Sequence, residues 1–371
     1  MSARMRIAIP IHSFEPGGVE RVALNLAAAW QADGAEVKVL LGRREGAMQA
    51  AAPQLDYVVR PEPIPTAAWE TLWLIFANWR WLRRNPVDVL FAAGNTYAIV
   101  AVALKLLLGA RCPPIVIKLS NDLARRDLPA PARWAYHRWL RVQGRMLDHF
   151  VGMATPMRGE IAAALRVSDD RITIIEDPAL EAAQFAQLAA IPRPAALPRA
   201  PRFVAVGRLA GQKNFPLLLR AFALLADPAA RLVIVGEGGE RARLERLAGE
   251  LGIAAQLSLP GHCDPLPHLA AASAYALSSD YEGVPAVIIE ALAAGLPVAG
   301  TDCSVSMAAL TGHGAFGVLV PPRDEMVLAG ALAQVLTMPF DPGAARGAVQ
   351  GFTIKIAAAR YQALLAQVAQ C

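Results

Sequence analysis

Short apolar runs alternate along this chain with longer stretches whose apolar residues recur every three to four positions. Arg6–Ile11 reads as a buried strand. A Gly-rich loop, an amphipathic helix from about Val19 to Ala32 and a second strand at Val37–Leu41 follow. Strand, loop, helix and strand in that order predict an α/β fold with a parallel, doubly wound sheet. Further strands are expected at Val87–Ala92, Ile115–Leu119, Phe150–Met153 and Ile172–Ile175. A second alternation places strands at Phe203–Val206, Leu232–Val235, Leu257–Leu259, Ala274–Leu277, Val298–Ala299 and Gly317–Val320. Its helices are expected at Lys213–Ala226, Glu240–Leu251 and Asp324–Met338. Between the two sets, Gln184–Arg202 is rich in Ala and Pro and reads as a linker. The pattern predicts two Rossmann-like domains, 1–185 and 200–353, facing across a cleft at the C-terminal ends of their strands.

Length and composition agree with two cores: 371 residues, 55% of them hydrophobic. Mean hydropathy is +0.35, yet the longest apolar run, Ala98–Leu108, is broken by Lys105 and is too short to span a bilayer. The first residues, Met1–Arg6, run straight into a strand, so no leader peptide is expected. Cys112, Cys263, Cys303 and Cys371 show no paired spacing and read as reduced thiols of a cytoplasmic protein. His262, Cys263 and His268 lack the further ligands a metal site needs, and no metal is expected.

Charge changes the picture of the first half. From Arg60 to Phe150 thirteen Lys/Arg face six Asp/Glu, a local balance of +7 against +5 for the whole chain. All seven tryptophans lie in the first 140 residues. Trp69, Trp73 and Trp79–Arg84 form one aromatic, basic helix, and Arg133–Arg141 a second. Trp beside Arg suits the headgroup layer of an anionic membrane. No nucleic-acid motif accompanies the charge.

The chemistry concentrates around Glu282-Gly283-Val284-Pro285 and Glu290. Pro285 suits the first turn of a helix, and Gly295 the left-handed stop after it. A helix N-terminus attracts phosphate through its free N–H groups and aligned dipole. Glu282 before the helix and Glu290 in its second turn would repel phosphate, but an ionised carboxylate accepts hydrogen bonds from hydroxyls. A ligand with a diphosphate between two hydroxyl-rich rings fits, which describes a nucleotide sugar. Arg208 and Lys213, five apart at a strand-to-helix junction, suit the diphosphate. Gly17 and Gly18, at the start of the first helix, would let a phosphate or sugar approach the backbone. Gly236-Glu237-Gly238-Gly239 lacks the spacing of a dinucleotide fingerprint, so NAD is not expected.

The segment Glu282–Glu290 resembles the E-x7-E motif of the retaining GT-B glycosyltransferases, in particular family 4. Val206–Asn214, Leu232–Gly238 and Pro16–Arg21 resemble that family's VGRL-x3-K segment, strand–GxG turn and GG-x-E loop, in the same order. The resemblance implies a hexosyltransferase with an N-terminal acceptor domain, a C-terminal donor domain and a last helix, 354–371, packed back on the first domain. It implies that Arg208 and Lys213 stabilise the leaving diphosphate. Glu282 would face the sugar and Glu290 the ribose, with Gly17, Gly18, Gly283, Val284 and Pro285 lining the donor site. UDP is the expected carrier, with no other cofactor. The family's His–Asp pair after the strand ending at Leu119 is replaced here by Asn121-Asp122. Asn121 can orient a sugar hydroxyl but cannot take a proton. With no Asp-x-Asp motif either, metal-independent catalysis is expected. The acceptor is expected to be a saccharide, lipid-linked at the inner face of the plasma membrane, in cell-surface polysaccharide or glycolipid synthesis. The alternatives are a sugar-nucleotide epimerase of the same shape and a non-catalytic nucleotide-sugar-binding protein.

Overall fold

A computed structural model of the chain describes residues 4–15, 17–62, 65–119, 123, 125, 128–193 and 200–370. The chain divides into two compact units, Met1–Ala179 with Ile354–Cys371, and Leu180–Thr353.

The first unit runs β1 (Arg6–Ile11), α1 (Gly18–Ala32), β2 (Glu36–Leu41), β3 (Asp56–Val59), α2 (Glu70–Leu82) and β4 (Val89–Ala92). It continues through α3 (Ala98–Leu108), β5 (Ile115–Lys118), α4 (Ala130–Met146), β6 (His149–Gly152), α5 (Met157–Leu165) and β7 (Ile172–Ile174). Among the described residues these strands form one parallel sheet, ordered β3-β2-β1-β4-β5-β6-β7. Ile7, Ala8, Ile9 and Ile11 are all buried, as expected of a strand covered on both faces. Trp30 of α1 packs edge-on to Phe91, with ring centroids 5.2 Å apart, and its indole N–H donates to the Ala358 carbonyl at 3.0 Å. β3 is absent from the sequence-based pattern. It is a short edge strand, only half-buried, so it carries no core signature.

The second unit comprises α6 (Ala182–Ala189), β8 (Arg202–Val206), α7 (Phe215–Leu224), β9 (Arg231–Val235), α8 (Arg241–Glu250) and β10 (Leu257–Gly261). There follow α9 (Leu266–Ala271), β11 (Ala274–Leu277), α10 (Ala286–Ala293), β12 (Val298–Thr301) and α11 (Met307–Leu310). β13 (Gly317–Val320), α12 (Glu325–Val335) and α13 (Pro342–Val349) complete it. Its parallel sheet is ordered β10-β9-β8-β11-β12-β13 among the described residues. The last helix, α14 (Ile354–Val368), belongs to the first unit, where it packs on α1.

Two expectations need correction. The stretch 184–202 is not linker throughout, because its Ala-rich start forms α6, alanine being the strongest helix former. Arg193 then ties the chain to the second unit. Its guanidinium donates to the carbonyls of Leu269, Ala272 and Ala294 at 2.7–3.1 Å, at the ends of α9 and α10. The second unit therefore starts at Leu180, and residues 194–199 lie outside the described set. The helix expected from Lys213 starts at Phe215. Asn214, at φ +44°, is its left-handed N-cap and accepts from the Leu217 N–H at 3.4 Å. Lys213 thus ends a separate 3₁₀ turn, Gly211–Lys213.

Candidate active site

In each sheet the strand order reverses once, between β1 and β4 and between β8 and β11. Loops leave such a point in opposite directions, opening a crevice at the C-terminal strand ends.

In the second unit β8 and β11 pair only through Phe203–Ala274 and Val204–Tyr275, then separate. Separation strands the backbone N–H of Val206, and the Tyr275 hydroxyl accepts from it at 3.0 Å while donating to the Val206 carbonyl at 3.3 Å. Burial pushes the Tyr275 phenol well up, and the carboxylates of Glu290 and Glu282 push it further. Both glutamates therefore lie within electrostatic reach of this hydroxyl.

Lys213 Nζ donates to Glu282 Oε1 at 2.6 Å, and Ser279 Oγ donates to the same oxygen at 2.8 Å. The pair joins the loop after β8 to the loop after β11. Gly207 makes room for the lysine, since a β-carbon there would lie 3.1 Å from Lys213 Cε. The loop carrying Glu282 is pinned on several sides. The Glu282 N–H donates to the Cys303 carbonyl at 3.1 Å, and Ser306 Oγ to the Gly283 carbonyl at 2.9 Å. Asp280 accepts from Asn214 Nδ2 at 2.9 Å and from Arg323 at 3.1 Å. The Cys303 thiol, buried beside Glu282, is pushed up to about 12, first by burial and then by that carboxylate.

Val284 and the N-cap Pro285 lead from this loop into α10, and Gly295, two residues past its end, turns the chain at φ +71°. Glu290 sits half-buried in the second turn, among the buried Ile288, Ile289, Ala291 and Leu292. Arg208 is exposed, two residues beyond β8. Gly236 and Gly238 have positive φ, and β-carbons there would collide with the carbonyl oxygens of Gly207 and Leu209. These glycines let the loop after β9 press on the loop carrying Arg208.

Gly17 and Gly18 lie in the first unit. Gly17 is the N-cap of α1, and a β-carbon there would collide with the Glu20 carboxylate. At Gly18 the same position is open. Glu20 Oε1 accepts from the Tyr97 hydroxyl at 2.7 Å, and that hydroxyl accepts from the His12 N–H at 3.2 Å. The buried His12 ring stacks on Tyr97, with centroids 4.8 Å apart, and its Nε2 lies 3.2 Å from Thr71 Oγ1. Asn121 and Pro16 lie outside the described residues. Cys263 Sγ lies 3.6 Å from His268 Nε2, and among the described residues no group of three or more metal-ligating side chains is assembled.

Residues 16–178 match the family described as Glycosyltransferase Family 4, and residues 191–346 match Glycosyl transferases group 1. The lipopolysaccharide outer core galactosyltransferase WaaB has the same fold, with a TM-score of 0.77 over 98% of this chain and 100% of that one at 18% identity. Both halves of the chain therefore match glycosyltransferase families, and its fold is that of the GT-B glycosyltransferases. HepE of Anabaena, solved with UDP and glucose, is a second GT-B structure like it, with a TM-score of 0.72, 18% identity and coverage of 98% and 100%. In sequence it is 33% identical over 138 residues to the lipopolysaccharide core biosynthesis glycosyltransferase LpsE of Rhizobium meliloti, covering 37% of this chain and 40% of LpsE. The chain spans well under half the length of the curated relatives it matches.

Within this GT-B chain, sequence reasoning passes over Tyr275, Tyr97 and His12. Each is an ordinary apolar or aromatic position in its local pattern. Its significance comes from where two strands separate, which no local signal encodes.

Proposed function

We propose that the chain transfers a sugar from a nucleoside-diphosphate donor to a saccharide acceptor with retention of anomeric configuration. The observation that carries this reading is the Lys213–Glu282 pair at the β8/β11 switch point, on the loop that enters the N-terminus of α10. Cations and a helix N-terminus receive a diphosphate, and carboxylates receive hydroxyls. In the reaction the bond from the anomeric carbon to the donor phosphate oxygen breaks as the acceptor oxygen bonds to that carbon on the same face. The acceptor proton passes to the departing phosphate oxygen. Arg208 and Lys213 stabilise the charge that develops on the diphosphate, in place of a metal ion. Glu282 orients the sugar hydroxyls, and Glu290 accepts from the ribose.

HepE holds UDP, which supports UDP as the carrier. LpsE acts in lipopolysaccharide core biosynthesis, which supports a role in polysaccharide or glycolipid assembly. The aromatic, basic α2 and α4 support a lipid-linked acceptor at an anionic membrane surface, met by a peripheral protein on the inner face. Among the described residues no helix is long and apolar enough to cross a membrane.

A panel of nucleotide sugars read by thermal shift tests the donor. The true donor at a hundred times its dissociation constant adds roughly 2.7 kcal/mol. Glu290→Ala weakens its binding by about tenfold or more, the scale of a hydrogen bond to a charged group. Proton NMR of the product gives the anomeric configuration, and chelator leaves turnover unchanged. Unaltered affinity in Glu290→Ala removes that residue from the site, and an inverted product or inhibition by chelator overturns the corresponding part of the mechanism.

A further inference from the structure

α3 is apolar on the side that faces solvent as well as on the side that faces the sheet. Inward it buries Val100, Ala101 and Leu104. Outward it presents Ile99, Leu106 and Leu107, with Leu106 68% exposed. These positions recur at the helical spacing, so they form one stripe. The helix carries one charge, Lys105, which is tied to Asp148 at 2.5 Å. A helix of this kind on a protein surface marks a face that something apolar covers.

The helices beside α3 also expose apolar residues. α3 packs against both α2 and α4. α2 exposes Leu72 and Phe76, and α4 exposes Trp134, 63% accessible, and Val142. These helices and their ends are also basic. Arg83 and Arg84 follow α2, and Arg111 follows α3, all exposed. Arg138, Arg141 and Arg145 lie on α4, which contains no acidic residue. Arg141 is crowded by Arg166, Arg138 and Arg145. Guanidinium groups also lie over aromatic rings, Arg138 5.0 Å from the exposed Trp134 and Arg83 4.9 Å from the half-buried Trp79.

We infer that the α2–α3–α4 face inserts into an anionic lipid bilayer, with Leu106 and Leu107 of α3 entering the acyl region and the arginines of these helices and their ends meeting lipid phosphates. Charge complementarity selects this occupant. A second copy of the same face would bring two sets of arginines together, whereas a leaflet of anionic lipid neutralises them and solvates the apolar stripe. The inference rests on the membrane reading above and sharpens it from adsorption by charge to insertion by α3. Adsorption is screened by salt, while insertion of apolar surface is not.

Flotation with vesicles of phosphatidylglycerol and phosphatidylcholine, against phosphatidylcholine alone, separates the two. Wild-type protein is expected on the anionic vesicles at low salt, with a fraction that persists at high salt. The Leu106→Ser, Leu107→Ser double variant should lose that fraction and partition at least about a hundredfold less, the scale of two leucines withheld from an apolar phase. Both positions are exposed, so circular dichroism should show an unchanged fold. Arg80→Ser, Arg83→Ser, Arg84→Ser should instead reduce binding at low salt. If the leucine variant binds like wild type at high salt, insertion by α3 is wrong and charge adsorption stands. If wild type stays unbound at low salt, the membrane reading itself fails. If light scattering finds a wild-type dimer that the leucine variant lacks, the face is covered by a second copy and the inference is overturned. Donor hydrolysis, measured alongside, reports the transfer reading independently of all three outcomes.

Discussion

At the switch point of the first unit, Tyr97 accepts the N–H of His12 and gives its own proton to Glu20. At that of the second unit, Tyr275 accepts the N–H of Val206 and returns its proton to the Val206 carbonyl. Both tyrosines repair the same defect, a backbone donor stranded where two parallel strands separate. They differ in what is left over. In the first unit the carboxylate at the N-terminus of α1 is already held by a phenol. In the second the phenol turns away from Glu282, which pairs instead with Lys213 and Ser279. An anion arriving at Lys213 can share its ammonium group. One arriving at α1 meets Glu20 first. The comparison sets a lysine–carboxylate pair at the second crevice against a carboxylate held by a neutral phenol at the first.

The largest expected effect breaks the comparison at its charged end. Lys213→Met removes the cation and leaves Glu282 with Ser279 alone. Turnover should fall by roughly 10²–10³, the range for a lost electrostatic stabiliser. A loss below threefold would mean that the pair is structural and that the second crevice is no more electrostatic than the first.

Tyr275→Phe tests the shared device. The substitution keeps the ring and leaves the Val206 N–H unpaired in a buried position, at a cost of about 1–3 kcal/mol. Urea unfolding measures it. No loss would show that the strand ends close up without the hydroxyl. Glu20→Gln sharpens the difference between the crevices. It should raise the acceptor KM by about tenfold, the scale of one hydrogen bond to a charged group, while the donor dissociation constant stays fixed. A change in donor affinity instead would place the donor diphosphate at α1.

Much of this was legible in the chain itself. Arg6–Ile11, Ala274–Leu277 and Gly317–Val320 form the expected strands with the expected bounds, and the last helix starts at the expected Ile354, because buried strands read as unbroken apolar runs and caps mark helix ends. Arg208, Lys213, Glu282 and Glu290 stand out in sequence as charges beside apolar elements. Other features depend on tertiary context. α10 and α3 are similarly apolar in sequence, yet α10 leaves no residue fully exposed and α3 leaves a whole stripe exposed. Periodicity shows that a face is apolar but not what covers it. The partnership of Lys213 with Glu282 spans 69 positions, and Asn214, left-handed and capping α7, decides that Lys213 sits on a turn rather than in a helix.

The smallest effect concerns acid, and it belongs to the first unit. Burial holds the His12 ring below its ordinary value of 6.5, against the opposite pull of Glu70 and Glu20 and with a minor push from Arg43. His149, buried in β6 with its Nε2 2.8 Å from Thr173 Oγ1, is lowered by burial and then by Arg171. The unfolded chain therefore takes up these protons first as pH falls. Stability from the two neutral rings is complete above 6.5 and is lost as pH drops from there toward the folded values. Each ring contributes at most about 1.4 kcal/mol per pH unit in that window. Ring-proton NMR should give midpoints below 6.5 for both, and His12→Gln should flatten the acid limb of the stability curve. A His12 midpoint at or above 6.5 would mean that the carboxylates of Glu70 and Glu20 outweigh burial. The first crevice would then carry a positive charge near neutral pH and would itself suit an anion, which would erase the contrast with Lys213.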